Sequence, residues 1–251
     1  MMNMRILPIL LAGALASHVA HAETADPNDG AGANTCAVNI KPRTQEYPWM
    51  SIGRWKRMHE DQLALADKGD VDLMFIGDSI TEGWPRAIWN VNFGAYKAGN
   101  FGIGGDNTGN VLWRLQDKRM ARLAPKAIVL LIGVNNLGLC DEKPEQVFPG
   151  IKAVVTALRK QYPAARILLN AVLPTGESAT SERRQSVVTL NKMVATLDDG
   201  RHVVFRDYGA SFVRPDGAIG TDIMGDYLHL TPKGYTIWAD AMLPDVQALM
   251  K

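Results

Sequence analysis

The chain has 251 residues, with 27 Lys and Arg against 26 Asp and Glu, for a formal net charge of +1. That balance gives no electrostatic case for binding nucleic acid or an anionic membrane surface. The length suits one domain with a sizeable core.

The sequence opens Met1-Met2-Asn3-Met4-Arg5, runs almost without polar residues from Ile6 to Ala16, and reaches Ala20-His21-Ala22. One positive charge, a short apolar stretch and an A-x-A site predict a secretory signal peptide over 1–22, cleaved after Ala22. The apolar run is too short to span a bilayer. No cysteine stands at the cleavage point, so no stable membrane anchor is expected. The expected location is secreted or periplasmic. Two cysteines remain, Cys36 and Cys140. An even count in an exported chain permits one disulfide between them; the alternative is two unpaired thiols.

Residues 23–46 are rich in Asp, Asn, Gly, Ala and Thr and poor in large apolar residues. They read as an extended, exposed lead-in to a single domain over 47–251. From Trp49 to Asp67 the pattern turns helical, with Ile52, Trp55, Met58, Leu63 and Ala66 at roughly helical spacing and Gly69 as the stop. No internal repeat is visible.

The next stretch organises the chain. Asp72-Leu73-Met74-Phe75-Ile76-Gly77 reads as a buried strand entering a tight Gly77-Asp78-Ser79 turn and a helix. Gly77 is expected to let the backbone turn sharply. Ser79 then leaves the carboxyl end of a central parallel strand, where open α/β sheets place their ligand sites. The N–H groups of the following helix point back toward it, good geometry for a nucleophile whose intermediate carries negative charge. The bland alternative is Ser79 as an ordinary helix N-cap.

Beyond it, Trp84 to Phe93 is aromatic and irregular. A short strand from Tyr96 to Phe101 enters the loop Gly102-Ile103-Gly104-Gly105-Asp106. Asn107 or Thr108 caps a helix carrying Val111, Leu112 and Leu115. Ala127 to Ile132 is apolar throughout and ends in Gly133-Val134-Asn135-Asn136. A helix over about 144–162 precedes a fourth strand, Arg166 to Val172. Val187, Leu190, Val194 and Leu197 mark another helix, stopped at Gly200. Val203 to Arg206 is a short fifth strand. After a long loop the chain closes with a helix from Pro232, its inward face Tyr235, Trp238, Met242, Val246 and Leu249. Strands alternating with helices predict a three-layer α/β/α sandwich with a five-stranded parallel sheet in flavodoxin-like order.

Four loops at the carboxyl ends of these strands carry groups suited to acyl transfer. The first carries Ser79. The second carries Gly105, whose N–H can approach a substrate closely. The third carries Asn135, an uncharged amide donor. The last carries Asp226-Tyr227-Leu228-His229, where a spacing of three in a helical turn sets Asp226 beside His229. A carboxylate there holds the imidazole's tautomer and stabilises its protonated form. His59 precedes the first strand and His202 lies at the opposite end of the sheet, which leaves His229 on the active face. Asp78 and Asp106 read as carboxylates that hold loops by accepting backbone N–H groups, and Asp222 is the second candidate for the acid beside the histidine. The six tryptophans read as core and pocket wall. No His/Cys cluster has metal-ligand spacing, so no metal is expected. The glycine-rich loop lacks the P-loop and dinucleotide-binding patterns, so no cofactor is expected.

Gly77-Asp78-Ser79-Ile80-Thr81, the glycine-rich block ending Gly104-Gly105-Asp106, Gly133-Val134-Asn135-Asn136 and Asp226-Tyr227-Leu228-His229 resemble, in order, the four blocks of the GDSL/SGNH hydrolases. Asn107 through Leu115, Leu173 to Glu177 and Asp216 to Ile219 are similar to the catalytic subunits of the platelet-activating-factor acetylhydrolases and their secreted bacterial relatives. The resemblance covers roughly Val71 to Leu249. It implies Ser79 as nucleophile, His229 as base and Asp226 as its partner. The oxyanion hole implied is the Ser79 and Gly105 N–H groups with the Asn135 side chain. Two positions depart from the pattern: Val134 stands where Thr is usual, and Thr175 where Arg is frequent. The implied activity is hydrolysis of short acyl esters, acetyl foremost, of a small molecule or carbohydrate, by a monomer or homodimer. The alternatives are a lipid acylhydrolase or thioesterase, and a non-catalytic sugar- or lipid-binding module.

Overall fold

A computed structural model describes residues 35–251. The predicted signal peptide and the first part of the lead-in lie outside them. Five parallel strands, β1 (Leu73–Gly77), β2 (Ala98–Gly102), β3 (Ala127–Leu131), β4 (Arg166–Asn170) and β5 (Val203–Arg206), form one sheet in the order β2-β1-β3-β4-β5. This is the flavodoxin-like order. Every residue of β1 and β3 is buried, which requires cover on both faces and accounts for their unbroken apolar sequences.

That cover comes from helices α1 (Ile52–Lys68), α2 (Ser79–Glu82), α3 (Arg86–Phe93), α4 (Thr108–Leu115), α5 (Val134–Gly138), α6 (Pro144–Gln161), α7 (Glu182–Val194) and α8 (Pro232–Leu249). α4, α6 and α7 pack in succession, and α3 packs against α8. An aromatic cluster joins sheet to helices: Phe75 of β1 meets Trp84, Trp89 and Phe93, and Trp84 stacks on Trp238 at 4.9 Å. No described helix is long and apolar enough to cross a membrane.

Gly77 is needed for space rather than for a sharp turn. Its φ is not positive, but a Cβ there would lie 2.2 Å from the Leu131 carbonyl oxygen and 2.3 Å from Thr81 Oγ1. Any side chain would push α2, and Ser79 with it, off the sheet.

The lead-in differs from expectation over its described part. Val38 and Ile40 are exposed, but Ala37 and Arg43 are buried. Ala37 N–H donates to the Glu142 carboxylate at 3.1 Å, Thr108 Oγ1 to the Ala37 carbonyl at 2.9 Å, and Asn110 Nδ2 to the Lys41 carbonyl at 3.1 Å. Cys36 and Cys140 are joined in a disulfide, with Cα atoms 6.3 Å apart. Side chains from α4 and the loop after α5 satisfy its backbone, so the segment docks without large apolar residues of its own.

Candidate active site

The site lies at the carboxyl edge of the sheet. Asp78, not Ser79, caps α2: its Oδ1 accepts the Ile80 N–H at 3.0 Å. Ser79 thereby becomes the first helical residue with its hydroxyl unused for capping. That hydroxyl lies 2.9 Å from His229 Nε2. From α8, Tyr235 donates its phenol O–H to the Ile80 carbonyl at 2.8 Å, which ties α2 to the helix that follows the His229 loop.

Asp226 and His229 are adjacent, but through a turn and not a helix. Tyr227 takes a left-handed φ of 59°, and Asp226 Oδ1 accepts the backbone N–H groups of Leu228 at 3.0 Å and His229 at 2.7 Å. A short acidic side chain that bonds its own following backbone replaces the helical turn. Asp226 Oδ2 then sits 2.7 Å from His229 Nδ1. Partial burial raises the Asp226 carboxyl, but hydrogen bonds from the His229 ring and backbone outweigh that and hold it below the usual carboxylate range.

Thr175, at the position of the missing Arg, supports this turn: its Oγ1 donates to the Tyr227 carbonyl at 3.0 Å, as does Gly176 N–H at 2.8 Å. Arg184 holds that loop in turn, donating to the carbonyls of Thr175, Gly176 and Gly217. Asp222 does not reach the histidine. It pairs with Lys233 at 2.7 Å and Arg214 at 3.8 Å.

Gly105 has φ +74°, the left-handed region that favours glycine. Asn135, in the first turn of α5, is 8% exposed, and its Nδ2 donates to the Asp106 carbonyl at 2.9 Å. That bond orients the amide and leaves one of its two N–H groups for a ligand. Among the described residues the Asp106 side chain accepts no backbone N–H, contrary to expectation. It is fully buried and takes the Trp55 indole N–H at 2.6 Å and Arg114 Nε at 2.8 Å, with Arg43 Nη2 at 3.8 Å. Burial pushes its carboxyl upward, and Arg114, Trp55 and Arg43 oppose the shift. Asp78 is buried, and its Oδ2 has no hydrogen-bond partner among the described residues. Desolvation raises its carboxyl to about 7, the Ile80 N–H opposes this, and nearby Asp106 adds to it.

These residues open into a cleft of about 560 Å³ whose lining includes Ser79, Gly105, Asn135, Asp226 and His229. Trp49, Met50, Leu139 and Leu228 form apolar wall, and Arg54 and Glu82 an ion pair at 2.9 Å. Trp49 fits the reading of the tryptophans as core and pocket wall, whereas Arg54 and Glu82 escape motif reading, because each sits in a helix whose pattern is explained by packing or capping alone.

The chain is a carboxylic ester hydrolase of the GDSL-like lipase/acylhydrolase family, whose family model matches residues 75–237. Among its relatives, the human platelet-activating factor acetylhydrolase IB subunit alpha1 is 36% identical over 185 residues, covering 73% of this chain and 79% of that protein. Among solved structures, a GDSL-like lipase from Bacteroides thetaiotaomicron has the same fold, with a TM-score of 0.62 at 22% identity, covering 77% of this chain and 97% of that one. An acetylxylan esterase from Geobacillus stearothermophilus also shares the fold, with a TM-score of 0.55 at 18% identity, covering 69% and 93%.

Proposed function

We propose that this protein is an exported serine esterase that removes short acyl groups, acetyl foremost, from a small-molecule or carbohydrate ester. The observation that carries the reading is the hydrogen-bonded line from Asp226 through His229 to Ser79. His229 Nε2 takes the Ser79 proton as Oγ attacks the ester carbonyl carbon. Asp226 stabilises the resulting imidazolium. The oxyanion is held by the Ser79 and Gly105 N–H groups and the Asn135 amide. Collapse breaks the ester C–O bond, and His229 gives its proton to the departing alcohol. Water, activated by the same imidazole, then hydrolyses the acyl-enzyme.

The acetyl preference is supported by the name of the human relative. A second reading, a lipid acylhydrolase or thioesterase, is favoured by the cleft, whose volume exceeds what an acetyl group needs and whose wall is partly apolar. A series of p-nitrophenyl esters from acetyl to octanoyl separates the two. The first reading predicts the highest kcat/KM at acetyl, and a steady rise toward octanoyl supports the second. Export rests on the pattern of residues 1–22, and a secreted product beginning at Glu23 is the expected result of N-terminal sequencing.

A further inference from the structure

We propose that Arg43, delivered by the lead-in, is a positioning residue for the oxyanion site: it fixes and polarises the peptide unit whose N–H belongs to Gly105. This rests on the serine-esterase reading above.

The Gly104 carbonyl and the Gly105 N–H belong to one planar peptide unit. Arg43 Nη2 donates to that carbonyl at 2.8 Å. A cation hydrogen-bonded to a peptide oxygen draws electron density from the nitrogen and makes its N–H a stronger donor. The preceding peptide is fixed from the other side, where Glu82 Oε2 accepts the Gly104 N–H at 2.6 Å. Glu82 is held by Arg54. The loop is thus gripped on both sides of the residue ahead of Gly105.

Arg43 is not an ordinary surface arginine. It is 5% exposed, under Tyr47 and Trp49, whose ring centroids lie 5.4 and 6.0 Å from its Cζ. The two rings stack on each other at 4.8 Å. Its Nη2 and Nη1 approach to 2.7 and 2.9 Å of where a Gly105 Cβ would be. The guanidinium therefore lies against the turn itself. Its Nε and Nη1 are buried without hydrogen-bond partners among the described residues. Such groups cost stability, so a purely stabilising role does not explain the placement. Arg43 also approaches the buried Asp106 carboxyl at 3.8 Å, which Arg114 holds at 2.8 Å. The segment is anchored ahead of Arg43 by the Cys36–Cys140 bond and the Asn110–Lys41 hydrogen bond.

A group that acts on the oxyanion donor affects the transition state more than the bound ester. The test compares Arg43→Met, Arg43→Lys and Ser79→Ala. The measurements are kcat and KM on p-nitrophenyl acetate, and the affinity of an alkylboronic acid, which forms an anionic tetrahedral adduct with a nucleophilic serine. For Arg43→Met, kcat is expected to fall by about 10- to 100-fold with KM nearly unchanged, and boronate affinity to fall in proportion. Arg43→Lys, whose ammonium still donates to the carbonyl, is expected to recover part of both. Wild-type kcat in a folded Arg43→Met overturns the proposal. So does a loss of kcat in either variant without loss of boronate affinity. If Arg43→Met does not fold, Arg43→Lys decides by the same proportionality. If Ser79→Ala still turns over the ester, the esterase reading itself fails. If Ser79→Ala is inactive while Arg43→Met matches wild type, only the Arg43 inference fails.

Discussion

Asp226 holds His229 at two points: Oδ2 lies 2.7 Å from ring Nδ1, and Oδ1 accepts the His229 backbone N–H at 2.7 Å. One carboxylate therefore sets both where the imidazole sits and which nitrogen carries the proton. Asp226→Asn keeps an oxygen for the backbone but removes the charge that stabilises the imidazolium. Its kcat on p-nitrophenyl acetate is expected to fall by about 10²–10⁴-fold with KM little changed. Steady-state kinetics checks this, and a variant with near wild-type turnover would remove Asp226 from the relay.

Asn135 presents a different case, because its Nδ2 is already committed to the Asp106 carbonyl. The remaining N–H is the one available to an oxyanion. Asn135→Ala is expected to lower kcat by about 10²–10³-fold. Asn135→Asp should be slower still, since it sets a negative charge where the reaction develops one. If the aspartate variant were the faster of the two, the amide would not be facing the oxyanion.

Much of this arrangement is legible in the sequence, and the reasons are local. β1 and β3 announce themselves because central parallel strands are apolar on both faces. Ser79, Gly105, Asn135 and the Asp226–His229 pair each follow a strand or occupy a short motif. The turn at Asp226 is harder to read, since a spacing of three suits both a helix and a side chain bonding its own backbone. Tyr227 at positive φ decides for the latter. Arg43 is not legible at all. It sits in a segment without periodicity, and its partner Gly104 is 61 residues away. The Asp106 environment is hidden for the same reason: Trp55 and Arg114 come from α1 and α4, where each also fits an ordinary helical pattern.

The buried Asp78 gives a pH signature. Its folded value is raised to about 7 from 3.8, so between about 4 and 7 the folded state keeps a proton that the unfolded chain has lost. Stability from this group is complete below about 4 and is lost as pH rises through about 7. Asp78→Asn retains an oxygen for the Ile80 N–H and abolishes the titration. Relative to wild type, the variant should gain stability between pH 4.5 and 8, by about 4 kcal/mol at most. Urea unfolding of both proteins at the two pH values measures it. A wild-type-minus-variant difference that does not change with pH would contradict the assignment.

The Cys36–Cys140 bond closes a loop across a sequence separation of 104. On the chain-entropy model it stabilises by up to ~4.7 kcal/mol. Paired Cys36→Ser and Cys140→Ser substitution should lower the unfolding free energy toward that limit, and dithiothreitol should reproduce the loss in the unsubstituted protein. Thiol titration of the denatured, unreduced protein should find no free cysteine. Two free thiols in a monomer would show that the lead-in is held by hydrogen bonds alone.

Ser79 carries the central claim, since it lines the cleft with Gly105, Asn135, Asp226 and His229, and its hydroxyl lies 2.9 Å from His229 Nε2. The most direct measurement is turnover of p-nitrophenyl acetate by purified wild type and Ser79→Ala, with intact mass after treatment by a fluorophosphonate. The expected result is ester hydrolysis and a single adduct, mapped to Ser79, in the wild type. Neither should occur in Ser79→Ala, whose melting temperature should stay close to that of the wild type. Wild-type turnover by Ser79→Ala, or an adduct on another residue, would contradict the account.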